Sequence, residues 1–402
     1  MSAFVRKPAD TYSPLYFLGS LGAGGVVVTF FMYLMFWVPH PDRPVPIFED
    51  IASAWASGGI ALQVAIALAI SGIALFAALN IKHLIWNLTS FARFKQTDAY
   101  AKLMATNAEA ATLAMPLALA MTINVGFILG LAFVPRLWGV VEYLFPVAMI
   151  AFALTGLLAL AQVGRYLGRI FGEGGFDMAQ HNSFAQVMPA FALAMVGVGF
   201  AAPSAMSGSA LTVGMSFLLS TFFLTIAVIY ALVAVVTGVV AMLQHGAARE
   251  SAPTLMVIVP LVTVLGILMM RQTHGLHTTF GVHGGNGETL AFLTRMISIQ
   301  LVFIGLGMAV LLRQRYFDDF VLGARASAGS YALVCPAVAF EVMMFFFIHK
   351  GLVANGVIEK FSAGYWAVTA IALASQAIAI LLVFRLNRQH FSDRKVGAVA
   401  AE

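Results

Sequence analysis

From Asn182 to Gln244 the chain contains no Asp, Glu, Lys, Arg or His. No core helix of a soluble domain needs so long an uncharged run, and at about 20 apolar residues per crossing it can traverse a bilayer twice. The rest of the chain agrees: 61% of its 402 residues are apolar, 10% are charged, and the mean hydropathy is +0.93. Soluble domains carry about a quarter charged residues, so this chain has too little polar surface to coat a water-soluble globule. A single cysteine excludes an intrachain disulfide framework and argues against a Cys-based zinc or iron–sulfur site. The formal charge of +5 and the pI of 9.4 read as basic loop residues of a membrane protein, with no nucleic acid as partner.

Ten spans are expected on the 20-residue template: 14–38, 58–81, 111–134, 139–163, 186–207, 213–242, 252–270, 290–312, 329–349 and 365–386. The longest polar stretches between them, 82–110 and 164–185, leave no room for a separate soluble domain. The expected organisation is an N-terminal segment 1–13, one all-α polytopic membrane domain 14–386 and a tail 387–402. The start, MSAFVRKPADTYSP, lacks a signal-peptide pattern, so the first span is expected to stay in the mature chain. Ten spans put both termini on one side. That side holds sixteen of the 22 Lys and Arg, among them Arg6, Lys7, Arg394 and Lys395. The other side holds Arg43, Arg136, Arg271, Lys350 and Lys360, with Arg295 near the start of span eight. By the positive-inside rule both termini are expected to be cytoplasmic. Segment 82–110, with Trp86, Phe91 and Phe94 among its cations, is expected to lie at the headgroups as an amphipathic segment.

Proline falls on alternate spans: Pro116, Pro189, Pro260 and Pro336 stand in the third, fifth, seventh and ninth, 73, 71 and 76 residues apart. The first span has Pro14 at its start and then Gly19, Gly22, Gly24 and Gly25, and among the even spans only the fourth holds a proline, Pro146. The repeating unit is therefore one helical hairpin. Kinks could simply improve helix packing. Four in register point instead to odd helices lining a central path, because backbone polar groups freed by proline are tolerated only where protein or a water-filled cavity meets them.

With these motifs the chain resembles the tellurite-resistance and C4-dicarboxylate transporter superfamily, which includes plant slow anion channels and fungal malate and sulfite transporters. The matching segments are SPLYFLGSLGAGG in the first span, AMPLALAMTINVG in the third, MVIVPLVTVLG in the seventh and SYALVCPAVAF in the ninth. The resemblance implies five hairpins around a pore of odd-numbered helices, a homotrimer in a bacterial inner membrane, and passage of a small anion such as an organic acid or a sulfur oxyanion. It implies a pore and gate built on Phe17, Pro116, Pro189, Pro260, Cys335 and Pro336. One departure stands out: the family commonly places a plugging Phe before the ninth-helix proline, where this chain has Cys335. A thiol there widens the constriction or moves the gate to another ring such as Phe340. A bacterial TsoY-like subgroup is similar in carrying Cys or selenocysteine.

Cys335 reads either as a reactive, redox-sensitive thiol or as a small buried hydrophobe. Glu341 lies well inside span nine with only Phe340, Val342 and Met343 beside it, and an intramembrane carboxyl is a functional candidate by default. Six residues leave it about 240° around the helix from Cys335. It is therefore expected to serve proton coupling or an interhelical bond rather than to contact the anion directly. Asn124 and Thr122, on a presumed inner helix, could hold an anion by hydrogen bonds. Gln300 and Gln376, on even spans, read as glue between helices. His274, His277 and His283, with His40 and His349 on the same side, could bind metal or sense pH, but a Gly-rich loop fixes no ligand geometry, and solvated histidines are the expectation. Glu109 and Glu142 read as helix N-terminal charges.

The chain has no Walker loop, no HExxH pair and no GxSxG elbow, so no enzyme activity, cofactor or metal is expected. The leading expectation is an anion transporter or channel. The alternatives are a quinone- or haem-bearing membrane anchor, which needs facing histidines inside the bilayer, and a sensor that uses Cys335 as a redox switch.

Overall fold

Ten helices long and apolar enough to cross a bilayer make up the computed structural model, which describes residues 7–282 and 284–391. Arg6, His283, Arg394 and Lys395 fall outside the described residues. Numbered one to ten, the spans are Pro14–Trp37, Ile60–Phe94, Asn107–Phe133, Leu137–Glu173, Phe184–Met206, Ala210–His245, Ala252–Phe280, Asn286–Arg313, Ala328–Val353 and Ala363–Phe391. No strand occurs among the described residues. The Tyr16 hydroxyl lies 3.1 Å from His390 Nδ1 and the Lys7 ammonium sits over the Phe391 ring, so the two ends of the chain share one face of the molecule, called here the terminal face.

Odd and even spans have different surroundings. In the most apolar 18 residues of each, 83, 50, 94, 67 and 78% are buried in the odd spans, against 33, 33, 22, 17 and 28% in the even ones. The odd helices form an inner set and the even helices an outer wall. This separation follows from composition: exposed Leu, Val and Ile cover the even spans, for example Leu218, Ile229, Leu232 and Val236 on the sixth, where they suit lipid.

Every odd span starts on the terminal face as a short 3₁₀ turn and then becomes α-helical. Ser13, Thr106, Ser183, Ser251 and Ser327 stand before these turns, and four of the five accept a backbone N–H two residues on. Pro116, Pro260 and Pro336 are each the third residue of the α-helical part and Pro189 is the second; Gly19 holds the third place in the first span. These prolines are therefore not mid-helix kinks. They stand near the start of each span, where the 3₁₀ turn passes into the α-helix.

Four spans reach at least five residues further than expected, the fourth continuing to Glu173. The second continues to Phe94, and Trp86, Phe91 and Phe94 are buried around Tyr12 instead of lying at headgroups. The seventh continues to Phe280, so His274 and His277 stand on a helix and not in a loop. The tenth continues to Phe391, into the segment expected as tail. Glu109, read as a dipole charge, is buried and paired at 3.0 Å with both Arg165 and Arg169, which ties the third span to the fourth. Glu142 accepts from Ser207 Oγ and the Gly208 N–H, each at 2.7 Å.

The first span approaches the ninth through two glycines. A Cβ on Gly22 would stand 2.9 Å from Val334, and one on Gly25 would stand 2.8 Å from Val338. Replacing Gly25 by Leu should cost about 1–3 kcal/mol by overpacking. Thermal melting of the detergent-solubilised protein measures this, and an unchanged midpoint would contradict the close approach.

Candidate functional site

The inner helices enclose a cavity of about 1710 Å³ that opens on the face opposite the termini. Each odd span contributes a stripe at helical spacing: Leu21, Gly22, Gly25, Val28 and Met32 from the first; Met121, Asn124 and Ile128 from the third; Phe191, Met195 and Val198 from the fifth. The seventh supplies Pro260, Thr263, Val264, Ile267, Arg271 and His274, and the ninth Cys335, Val338, Ala339, Val342, Phe346 and His349. Even spans reach the cavity only at its mouth, through Trp138, Asn286, Glu288, Thr289 and Phe292.

The lower wall is mostly apolar, with Asn124 and Thr263 as polar residues on it, and cations stand above it, Arg271 midway up and the others at the mouth. Arg43, Arg271, Lys350 and Lys360 line the cavity together with His40, His274, His277 and His349, against the two acids Asp42 and Glu288. Arg43 is already neutralised by a two-pronged pairing with Asp50, which raises its pKa further above the ordinary arginine value. Among the described residues, Arg271, Lys350 and Lys360 have no carboxylate within 4.0 Å. Partial desolvation at the mouth draws Lys360 below the ordinary lysine range. His349 is held in place by its network: its Nδ1 lies 2.8 Å from the Phe345 carbonyl, and its Nε2 lies 2.9 Å from the Tyr365 hydroxyl, which also accepts from Trp37 Nε1. The helix is wound as a π-helix over Phe347–Val353, and this turns both His349 and Lys350 to the cavity.

The cavity floor is a tight layer. Leu18, Met188, Phe191, Thr254, Val257, Ala332 and Cys335 surround a void of about 10 Å³, room for one water at most. Phe191 and Cys335 border both the large cavity above and this void below. The ring at the constriction is thus Phe191 of the fifth span. Phe340, the ring expected to take over the gate, does not line the cavity, nor does Phe17, which is buried edge-on against Phe91. Of the four prolines only Pro260 touches the cavity.

Asn124 lines the cavity, with its Nδ2 3.0 Å from Ala120 O and 3.9 Å from Met195 Sδ. Thr122 bonds back to Ala118 O at 2.9 Å and lies off the cavity wall. Glu341 also lies off it, fully buried, and neither carboxyl oxygen has a hydrogen-bond partner among the described residues. Its neighbourhood is the seam where Tyr33 donates to Gln376 Oε1 and Gln376 Nε2 donates to Thr29 Oγ1 at 3.0 Å. Gln300 bridges spans eight and seven through Thr263 Oγ1. His83, in the segment 82–110 expected at the headgroups, is buried inside span two between Tyr331 and Phe391. Among the described residues no three His, Cys, Asp or Glu cluster as metal ligands.

Two positions escaped the sequence reading as site residues. Arg271 is eleven residues from Pro260, about 20° off the same helical face, so helical arithmetic alone would have put it on the proline's side. Phe191 follows Pro189 by two residues, but nothing local distinguishes it from other buried rings.

Fold and cavity define a multi-pass α-helical membrane protein with a central, blind-ended cavity. Compared with known proteins, the chain matches no family model, no curated protein and no solved structure.

Cys335, the chain's single thiol, reports the field at the cavity floor. An anionic methanethiosulfonate should label it several-fold faster than a cationic one, each rate being divided by that for a free thiol, and the ratio should shrink as salt screens the mouth. Equal normalised rates at low salt would remove the electrostatic argument.

Proposed function

We propose that this protein carries small anions across a membrane through the central cavity, and that it is a distant member of the tellurite-resistance and C4-dicarboxylate transporter superfamily. The observation that supports this reading is the cavity itself: five inner helices around one path, unpaired cations near its mouth, and one thin layer at Cys335 and Phe191 closing it. Cations in a low-dielectric funnel concentrate anions. Below the layer the five odd helices present their N-termini, whose dipoles also favour negative charge. With both termini cytoplasmic, as the cation count favours, the cavity opens outward, and a homotrimer would give each protomer its own path.

Phe191 and Cys335 act as the gate in this reading, and opening requires the ring to leave the layer. Glu341 is the proton site. An unpaired buried charge costs several kcal/mol, so its surroundings suit a carboxyl that carries a proton, and its position behind the wall separates proton from anion.

Proteoliposomes loaded with the purified protein should take up at least one of radiolabelled malate, sulfite and thiosulfate. Phe191→Ala should raise the rate several-fold and Cys335→Phe should lower it. No flux of any of the three, from wild type or from Phe191→Ala, would overturn the proposal. Glu341→Gln should abolish acceleration by a proton gradient while leaving gradient-free flux within about two-fold, and retained acceleration would remove Glu341 from the mechanism.

A further inference from the structure

We infer that Arg271 is the docking residue for an oxyanion group, a carboxylate or a sulfur oxyanion, midway down the cavity. This rests on the reading that anions use the cavity, and it names the part of the anion that is recognised. Arg271 stands eleven residues above Pro260, about 16 Å along the seventh span at 1.5 Å per residue. It is therefore well above the closed layer and one turn below His274 on the same face. Its Nη1 donates to Val198 O at 2.7 Å, where the fifth span's first helical segment ends at Phe200. That bond fixes the guanidinium against the wall. No side-chain acceptor and no carboxylate within 4.0 Å takes its remaining donors among the described residues.

A half-buried guanidinium with one of five donors used is an incomplete site. The acids lining the cavity, Asp42 and Glu288, belong to its rim loop and to the start of span eight. What completes it must come through the cavity. A planar fork of N–H donors matches two oxygens held on one atom, the geometry of a carboxylate or sulfite, and gains no second bond from a spherical halide. Asn124 is placed to meet the rest of a longer anion: it touches Met195, one turn along the fifth span from the Val198 that anchors Arg271, and both side chains line the same space.

The test compares full-length wild type, R271K and R271Q in proteoliposomes, with malate, sulfite and chloride as probes. R271Q should raise the KM for malate and sulfite at least ten-fold and leave chloride flux within about two-fold. R271K should fall between, since it keeps the charge and loses the fork. In parallel, malate should slow labelling of Cys335 in detergent-solubilised wild type and fail to do so in R271Q. Unchanged KM values and unchanged protection in R271Q would overturn the assignment. Should R271Q fail to fold, R271K decides: a malate KM equal to that of wild type overturns it. If no anion is transported by wild type yet malate still protects Cys335 through Arg271, the proposed transport falls and the binding site stands.

Discussion

A cavity of about 1710 Å³ can sit inside a membrane-spanning chain only if other helices meet the lipid in place of those that line it. Hydrocarbon offers no hydrogen bonds, so the cost of exposing a polar wall falls on whichever helix is outermost. Here the chain alternates strictly, one inner helix and one outer, and each hairpin contributes one of each. The inner five are then free to carry Arg271, Asn124 and Cys335 on their cavity faces. The outer five need only be apolar outside and polar enough inside to bind their neighbours, which Gln300 and Gln376 do.

The same alternation sets the electrostatics. Because each odd helix begins on the terminal face, its positive dipole end lies there, and its 3₁₀ turn, the Ser or Thr before that turn and, in four of the five, an early proline gather there. The opposite mouth has negative helix ends, which would repel anions if left alone. Arg271, Lys350 and Lys360 reverse that sign locally. An anion on the proposed path would thus meet side-chain charge on one side of the layer and backbone dipoles on the other.

Proline spacing made the hairpin repeat legible, since a missing N–H acts on its own turn and needs no partner. The caps Ser13, Thr106, Ser183 and Ser327 were equally local, and the first span's Gly19 in the proline place shows that the repeat is one of position rather than residue type. Trp86, Phe91 and Phe94 misled because rings among cations have the composition of a headgroup segment; their partners, Tyr12 and Phe391, come from the two ends of the chain. Arg271 counted as a loop cation because its span was cut short at 270, before the helix had ended. In each case the missing information was which residues, distant in sequence, lie opposite.

That limit explains the misplaced constriction ring. A small residue before Pro336 leaves space at the constriction, and the reading from sequence sought a replacement ring on the same helix, at Phe340. On a helix, however, residue 340 is five places from residue 335, about 140° around the axis, and cannot fill that space. A ring from a neighbouring inner helix can, provided its turn lies at the same depth. Phe191 qualifies because Pro189 and Pro336 hold near-equivalent places in the first α turns of spans five and nine. A thiol on one span and a ring on another then close the layer together. Shared register is thus what permits the exchange: a ring from another inner helix at that depth can close the cavity floor, and the residue before the ninth-span proline need not be aromatic for that.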